Sequence, residues 1–240
     1  MSTKIKINLL YFSCGRDEKL LEISIASARK QFGFNRIIVA EDSRDPIINR
    51  IGGVEYVLKT SSSEKLYGLE NIAEMHKIFE KYSDDCDFIQ KCDSDVVFIN
   101  ARPYSFLEEN MGLAAYGGFP MANEKIIPSG HFAGSTYFLS SKVCKELVKN
   151  HWPDDVKHWS FMNYPEDMVT SHIISKISDE VVVEWTAQNG GGFFLFDVFL
   201  TKVAKKDLDI ISKYNYAHCR TSLSVMECLW GKISPTEVNV

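Results

Sequence analysis

The order of the sequence's apolar runs predicts an α/β protein built on a Rossmann-like, mixed but mainly parallel sheet flanked by helices. Three observations carry that expectation. Short runs rich in β-branched and aromatic residues recur along the first half of the chain. Stretches with apolar residues at helical spacing separate them. Polar residues able to do chemistry follow directly after the runs, where sheets of this kind place their ligands.

Lys4–Phe12 reads as the first strand, and Glu18–Phe32 as a helix with Leu20, Leu21, Ile25 and Ala28 on one stripe. Arg36–Ala40 is a short buried strand ending in Glu41-Asp42-Ser43-Arg44, and Val54–Leu58 is another. A helix from about Glu70 presents Ile72, Met75, Phe79 and Tyr82 on one face. Asp87–Lys91 and Val96–Ile99 are apolar runs on either side of Cys92-Asp93-Ser94-Asp95. In the second half, Leu113–Gly117 and Ser135–Leu139 read as strands, the latter leading into a helix from Ser141 to about Asn150. His151–Tyr164 reads as a loop. Pro165-Glu166-Asp167 opens a helix through Ile177, because proline and acidic residues favour a first turn. Val181–Trp185 reads as a strand and Asn189–Gly192 as a turn. No repeat or low-complexity linker divides the chain, so one domain over residues 1–240 is expected.

Composition narrows the function classes. The chain is 45% apolar and 25% charged, which suits a packed core. Lys plus Arg number 27 against 32 Asp plus Glu, a net charge of −5 that lacks the broad positive field of a nucleic-acid binder. No nucleic-acid partner is expected. No apolar run reaches the roughly eighteen residues of a membrane-spanning helix. The N-terminal run meets Arg16-Asp17-Glu18 without a cleavage pattern, so it reads as a strand, and the expected compartment is the cytoplasm. The six cysteines form no Cys-x-x-Cys pair and are expected to be reduced thiols. Ser13-Cys14-Gly15-Arg16 is not a dinucleotide fingerprint, and no P-loop occurs. Any bound phosphates need another holder.

Asp93-Ser94-Asp95 is the most informative segment. With fifteen aspartates, about one D-x-D arises by chance, and Asp85/Asp87 and Asp207/Asp209 also fit the spelling. Context separates them. Asp93 and Asp95 interrupt an apolar stretch, where two carboxylates cost several kcal/mol unless a cation or hydrogen bonds compensate. Alternate residues of an extended chain point the same way, so the two are expected to converge and suit Mg²⁺ or Mn²⁺. The competing reading is a polar turn between two edge strands. The other two pairs read as solvated.

Lys91-Cys92-Asp93-Ser94-Asp95-Val96-Val97-Phe98-Ile99-Asn100 resembles the K-x-D-x-D-v-f-v-N segment of nucleotide-sugar-dependent glycosyltransferases of the GT-A fold. The pattern is closest to the Fringe and beta-3-galactosyltransferase type. Gly134-Ser135-Thr136-Tyr137-Phe138-Leu139-Ser140 is similar to that group's S-G-x-G-Y-v-x-S strand, departing from it at Ala133 and Thr136. Glu166-Asp167-Met168-Val169 resembles its E-D-V motif at a helix start. The blocks keep the family's order and span about Phe88–His218.

The resemblance implies a GT-A fold with a nucleotide-sugar-binding half over about 1–100 and an acceptor-binding half over about 101–240. It implies that Asp93, Asp95 and His218 hold Mn²⁺ or Mg²⁺, which neutralises a diphosphate leaving group. Ser13, Arg16 and Asp42 at strand ends, Ser94 in the metal turn and Lys77 on the preceding helix are assigned to the donor, a nucleoside diphosphate sugar that is expected to be UDP-linked. For Lys77 a solvated helix face is the alternative. Asp167 is the candidate general base of an inverting transfer to a carbohydrate hydroxyl, with Glu166 the second candidate. His131 and Trp185 are assigned to the acceptor glycan, since aromatic faces stack on sugars. His76 and His172 read as structural. Two rival readings stay open: a nucleotidyltransferase, and a non-catalytic sugar- or nucleotide-binding module.

Overall fold

The computed structural model describes residues 4–60, 69–109, 111–112, 116–121, 131–149, 165–177, 193–195, 211 and 214–234. Four strands, β1 (Ile7–Ser13), β2 (Arg36–Asp42), β3 (Glu55–Lys59) and β4 (Phe88–Cys92), pair in parallel in the order β3-β2-β1-β4. Antiparallel strands β7 (His131–Ser140) and β6 (Tyr116–Met121) extend the β4 side into a six-stranded mixed sheet. A second sheet combines β5 (Val96–Phe98), β9 (Tyr216–His218) and β8 (Phe193–Leu195) in the order β5-β9-β8.

Ile7–Tyr11 are all buried, as a central strand covered on both faces requires. On one face, α1 (Glu18–Gln31) packs Leu21, Ile25 and Ala28 into a cluster with Leu9, Val39 and Phe138. Helix α3 (Arg102–Glu109) adds Tyr104 and Leu107 to the same cluster. On the other face, α2 (Leu69–Lys81), α4 (Ser141–Lys149) and α5 (Glu166–Ile177) bring Ile72, Phe79, Val143 and Ile173 against Leu10, Ile38, Ile89 and Leu139. The C-terminal helix α6 (Leu223–Ile233) buries Val225, Met226 and Leu229 with Val97 and Ala217 of the second sheet. No described helix is long and apolar enough to cross a membrane.

The predicted elements of the first half are present, with shifted ends. Strand β2 runs on to Asp42, so Glu41 and Asp42 are strand residues and not loop residues. Of the expected strand Leu113–Gly117, residues 113–115 lie outside the described residues; β6 carries Gly117, Gly118 and Pro120 at the sheet edge, with an irregular register between Gly118 and Pro120. An edge is where a ladder tolerates proline. Helices α3 and α6 and strand β9 carry no expectation from the sequence. Val181–Trp185, Asn189–Gly192, the 151–164 loop and Asp207/Asp209 lie outside the described residues.

One expectation is corrected at the start of β4. Asp85 and Asp87 are not merely solvated loop acids. Asp85 Oδ1 accepts a hydrogen bond from the buried Asn8 amide at 2.8 Å, and its other oxygen pairs with Arg36 at 3.3 Å. Asp87 accepts from the Lys6 backbone N–H at 2.8 Å. These carboxylates close the amino-terminal edge of the sheet.

Candidate metal and donor site

The opposite end of β4 holds the chemistry. Asp93, Ser94 and Asp95 form a turn between β4, inside the large sheet, and β5, at the edge of the small one. The two carboxylates therefore converge through a turn and not through strand alternation. The turn is also not the one between two edge strands, because β4 is flanked by β1 and β7. Antiparallel pairing of β5 with β9 sets Val96 opposite His218 and brings a distant histidine beside the turn. One ligand atom each from Asp93, Asp95 and His218 lie within 4.8 Å of one another.

The far side of the turn is pinned by backbone. His218 Nε2 lies 3.2 Å from Asp95 Oδ2, and the Thr221 N–H donates to the same oxygen at 2.6 Å. The Cys219 N–H donates to the Asp95 carbonyl at 2.8 Å. Arg220 and Thr221 reach this position with φ of 46° and 61°. Left-handed backbone is costly for non-glycine residues, above all a β-branched one, and such residues cluster at functional sites. Burial works against ionisation of Asp95, yet His218 and the Thr221 N–H hold its carboxyl below the ordinary value.

The near side of the turn is held by a charge that the sequence reading did not single out. Lys91 is buried within β4; its ammonium contacts Asp93 Oδ1 at 2.5 Å, donates to the Gly134 carbonyl and lies 3.8 Å from Glu166 Oε2. Burial opposes the charge, but Asp93 and Glu166 hold the ammonium above its ordinary value. Glu166 also accepts from the Tyr137 hydroxyl and from Thr170 Oγ1, which in turn meets His76 Nε2 at 3.0 Å. Burial pushes the Glu166 carboxyl up to about 7, with Lys91 pulling against it. The signal in the sequence was a lysine within a five-residue buried strand, a residue type that is almost never fully buried unless paired.

Asp167, unlike Glu166, is only partly buried. It lies against Gly134, where an added Cβ would fall 3.1 Å from its Oδ2. Gly134 thus leaves room for Asp167 while its carbonyl receives Lys91. Glu166 belongs to the buried network and Asp167 to its accessible rim.

The assigned donor residues sit at the carboxyl edge of the sheet. Ser13 ends β1, and its buried Oγ has no hydrogen-bond partner among the described residues. Asp42 ends β2, is buried, and accepts from the Arg44 N–H at 3.0 Å. Arg16 is largely exposed, and its backbone N–H donates to Asp45 Oδ2 at 3.0 Å. Ser94 is buried within the turn. Lys77 is on the exposed side of α2, next to buried His76, as in the solvated reading. His172 is buried as expected. His131 opens β7, whereas Trp185 is outside the described residues.

Two polar positions of this edge had not been anticipated. Lys59 ends β3, paired in register with Asp42, and its buried ammonium donates to Asn71 of α2. Burial lowers its pKa. Ser135 lies beside Asp93, whose N–H donates to its carbonyl at 2.8 Å, yet its own buried Oγ has no partner among the described residues. A buried unpaired hydroxyl costs about 1–3 kcal/mol, which a ligand group recovers. Two carboxylates, an imidazole and unpaired hydroxyls at one edge fit a hard divalent cation with an oxygen-rich ligand.

The fold resembles solved glycosyltransferases. The galactosyltransferase LgtC, solved with donor and acceptor sugar analogues, matches with a TM-score of 0.62 at 11% identity over 94% of this chain and 95% of that one. An active-site mutant of LgtC matches with a TM-score of 0.54 at 14% identity over 88% and 86%. A glycosyltransferase involved in glycosylation of the major capsid of PBCV-1 gives 0.51 at 12% identity over 94% and 98%. No protein-family model and no curated protein matches the chain. The fold is GT-A: a mostly parallel six-stranded sheet between helices, with an acidic turn at its carboxyl edge.

Proposed function

We propose that this chain is a glycosyltransferase that moves a sugar from a nucleoside diphosphate sugar, UDP-linked, to a carbohydrate hydroxyl, with inversion and with Mn²⁺ or Mg²⁺. The observation that carries the reading is the Asp93–Asp95–His218 trio, its ligand atoms within 4.8 Å at the carboxyl edge of β4. The fold shared with LgtC and the capsid glycosyltransferase supports sugar transfer. The K-x-D-x-D and E-D-V blocks, which resemble the Fringe and beta-3-galactosyltransferase type, support inversion.

Asp95 and His218 would hold the cation, and Asp93 would reach it or its ligand from the other side of the turn. When bound, the cation neutralises the charge that builds on the departing diphosphate, which takes the place of a glycine-rich phosphate loop. Ser13 and Asp42 face the nucleoside in this reading, and Ser135 offers its hydroxyl beside the turn. Asp167, partly accessible, accepts the acceptor proton. As it does so, the acceptor oxygen bonds to the anomeric carbon and the bond from that carbon to the diphosphate oxygen breaks. The nucleoside half is assigned to about residues 1–100 and the acceptor half to about 101–240.

The test is donor hydrolysis and binding across UDP-, GDP-, CMP- and dTDP-sugars, with and without Mn²⁺, on wild type and Asp95→Ala. Metal-dependent turnover of one donor, lost in the variant, is expected. No response to any donor overturns the reading. Binding without turnover under all conditions leaves the non-catalytic module in its place.

A further inference from the structure

Lys91 is shared between two carboxylates that belong to different parts of the molecule. Asp93 lies in the acidic turn, 2.5 Å from the ammonium, and Glu166 opens α5, 3.8 Å away. Glu166 is arranged as an acceptor: Tyr137 and Thr170 donate to Oε1, while Oε2 faces Lys91. Wild type thus holds one buried cation against a carboxylate of the trio and a carboxylate outside it. A buried ammonium with a single counterion is held by it more strongly than one with two, and its unbalanced charge repels a nearby divalent cation.

We infer that Lys91 and Glu166 form a positioning pair that sets cation affinity: Glu166 shares the charge of the ammonium that Asp93 binds, and so weakens the hold of Lys91 on that carboxylate and its repulsion of a nearby cation. Neither residue touches the cation; both act through Asp93. The inference rests on the metal reading of the trio given above.

The test is Mn²⁺ affinity, measured by calorimetry on the purified chain without donor or acceptor at about pH 8, above the value of about 7 to which burial raises Glu166. Glu166→Gln keeps shape and removes the charge, and is expected to weaken Mn²⁺ binding by roughly tenfold. Lys91→Met together with Glu166→Gln removes the pair as a neutral unit and frees Asp93. The double variant is expected to bind Mn²⁺ more tightly than wild type by at least a few-fold, because the positive charge it removes lies 2.5 Å from Asp93 Oδ1 and the negative charge it removes is not in contact with that carboxylate. Neutral replacement of a whole buried pair is often tolerated, so this variant decides the matter if Glu166→Gln alone does not fold. Val143→Ala, in the core packed by α4 and outside the Lys91–Glu166 network, is expected to lower the melting temperature while leaving Mn²⁺ affinity unchanged. A folded Glu166→Gln protein with wild-type affinity overturns the inference, as does a double variant that binds no more tightly than wild type. So does an equal loss of affinity in Val143→Ala, which would make the effect one of packing. Absence of Mn²⁺ and Mg²⁺ binding by wild type itself is a different failure: it overturns the metal reading and the inference with it.

Discussion

Strand β4 carries one spelling at both ends, Asp85-x-Asp87 before it and Asp93-x-Asp95 after it. The first pair meets protein donors: the Asn8 amide, the Arg36 guanidinium and the Lys6 N–H. The second pair faces an imidazole able to ligate a metal, a strained backbone N–H and a shared ammonium. Two residues of one type at one spacing thus become a structural clasp at one edge and a candidate cation site at the other. What separates them is the edge of the sheet and the partners that topology delivers there.

The comparison breaks most visibly under alanine. Asp95→Ala is expected to lower metal-dependent donor turnover by at least about a hundredfold, more than loss of an outer partner of a metal ligand costs. Asp85→Ala, at the other end of the same strand, is expected to leave turnover of the folded protein within about threefold. It removes one of the two acceptors of the buried Asn8 amide, the Tyr82 carbonyl being the other, and costs about 1–3 kcal/mol in urea unfolding. The reverse pattern, with activity lost at Asp85 and stability lost at Asp95, would exchange the two assignments.

Gly134→Ala sharpens the same contrast within the carboxyl edge. The added methyl meets Asp167 Oδ2 at 3.1 Å, so the side chain must shift. The expected result is a kcat lower by up to about tenfold, as for a group displaced by less than an ångström, with donor KM little changed. A loss confined to donor KM would place Asp167 on the donor and not on the acceptor.

The smallest expected effect lies at the amino edge. Partial burial opposes ionisation of Glu55 and Asp85, but Tyr82 and Arg36 for the one, and Asn8 and Arg36 for the other, hold both carboxyls below their ordinary values. Their stabilisation is complete above the unfolded carboxylate pKa of about 4 and is lost as pH falls through the lower folded values. Both groups are well exposed, so each contributes under about 1 kcal/mol. Asp85→Asn is expected to flatten that part of the acid unfolding profile, read by circular dichroism; an unchanged slope would show that the clasp carries no net charge effect.

Much of the first half was legible because its signals are local. The stripes in α1 and α2 and the apolar runs of β1, β2 and β4 state their period within a few residues. Helix α6 also has a readable stripe in Val225, Met226 and Leu229. Helix α3, with Pro103 at its second position, and β9, three residues long, offer little period to read. At the site, Asp93 and Asp95 are legible as an acidic interruption of an apolar stretch and His218 through the family resemblance, and the structure brings the three together. The partition between Glu166 and Asp167 was not legible. Adjacent acids in a first turn look alike until one is buried against Tyr137 and Thr170 and the other is left against Gly134.

The sequence by itself determined the alternation of elements, the acidic interruption between two apolar runs and the absence of a phosphate-binding loop. Those properties depend on neighbours along the chain, where spacing alone decides which face is apolar. Only the tertiary structure decided that Lys91 would be shared between β4 and α5, that Thr221 would bend back onto Asp95, and that the two aspartate pairs of β4 would have opposite fates. Each depends on groups separated by dozens of residues, and the energy of a buried charge is set by the partners that packing brings within a few ångströms.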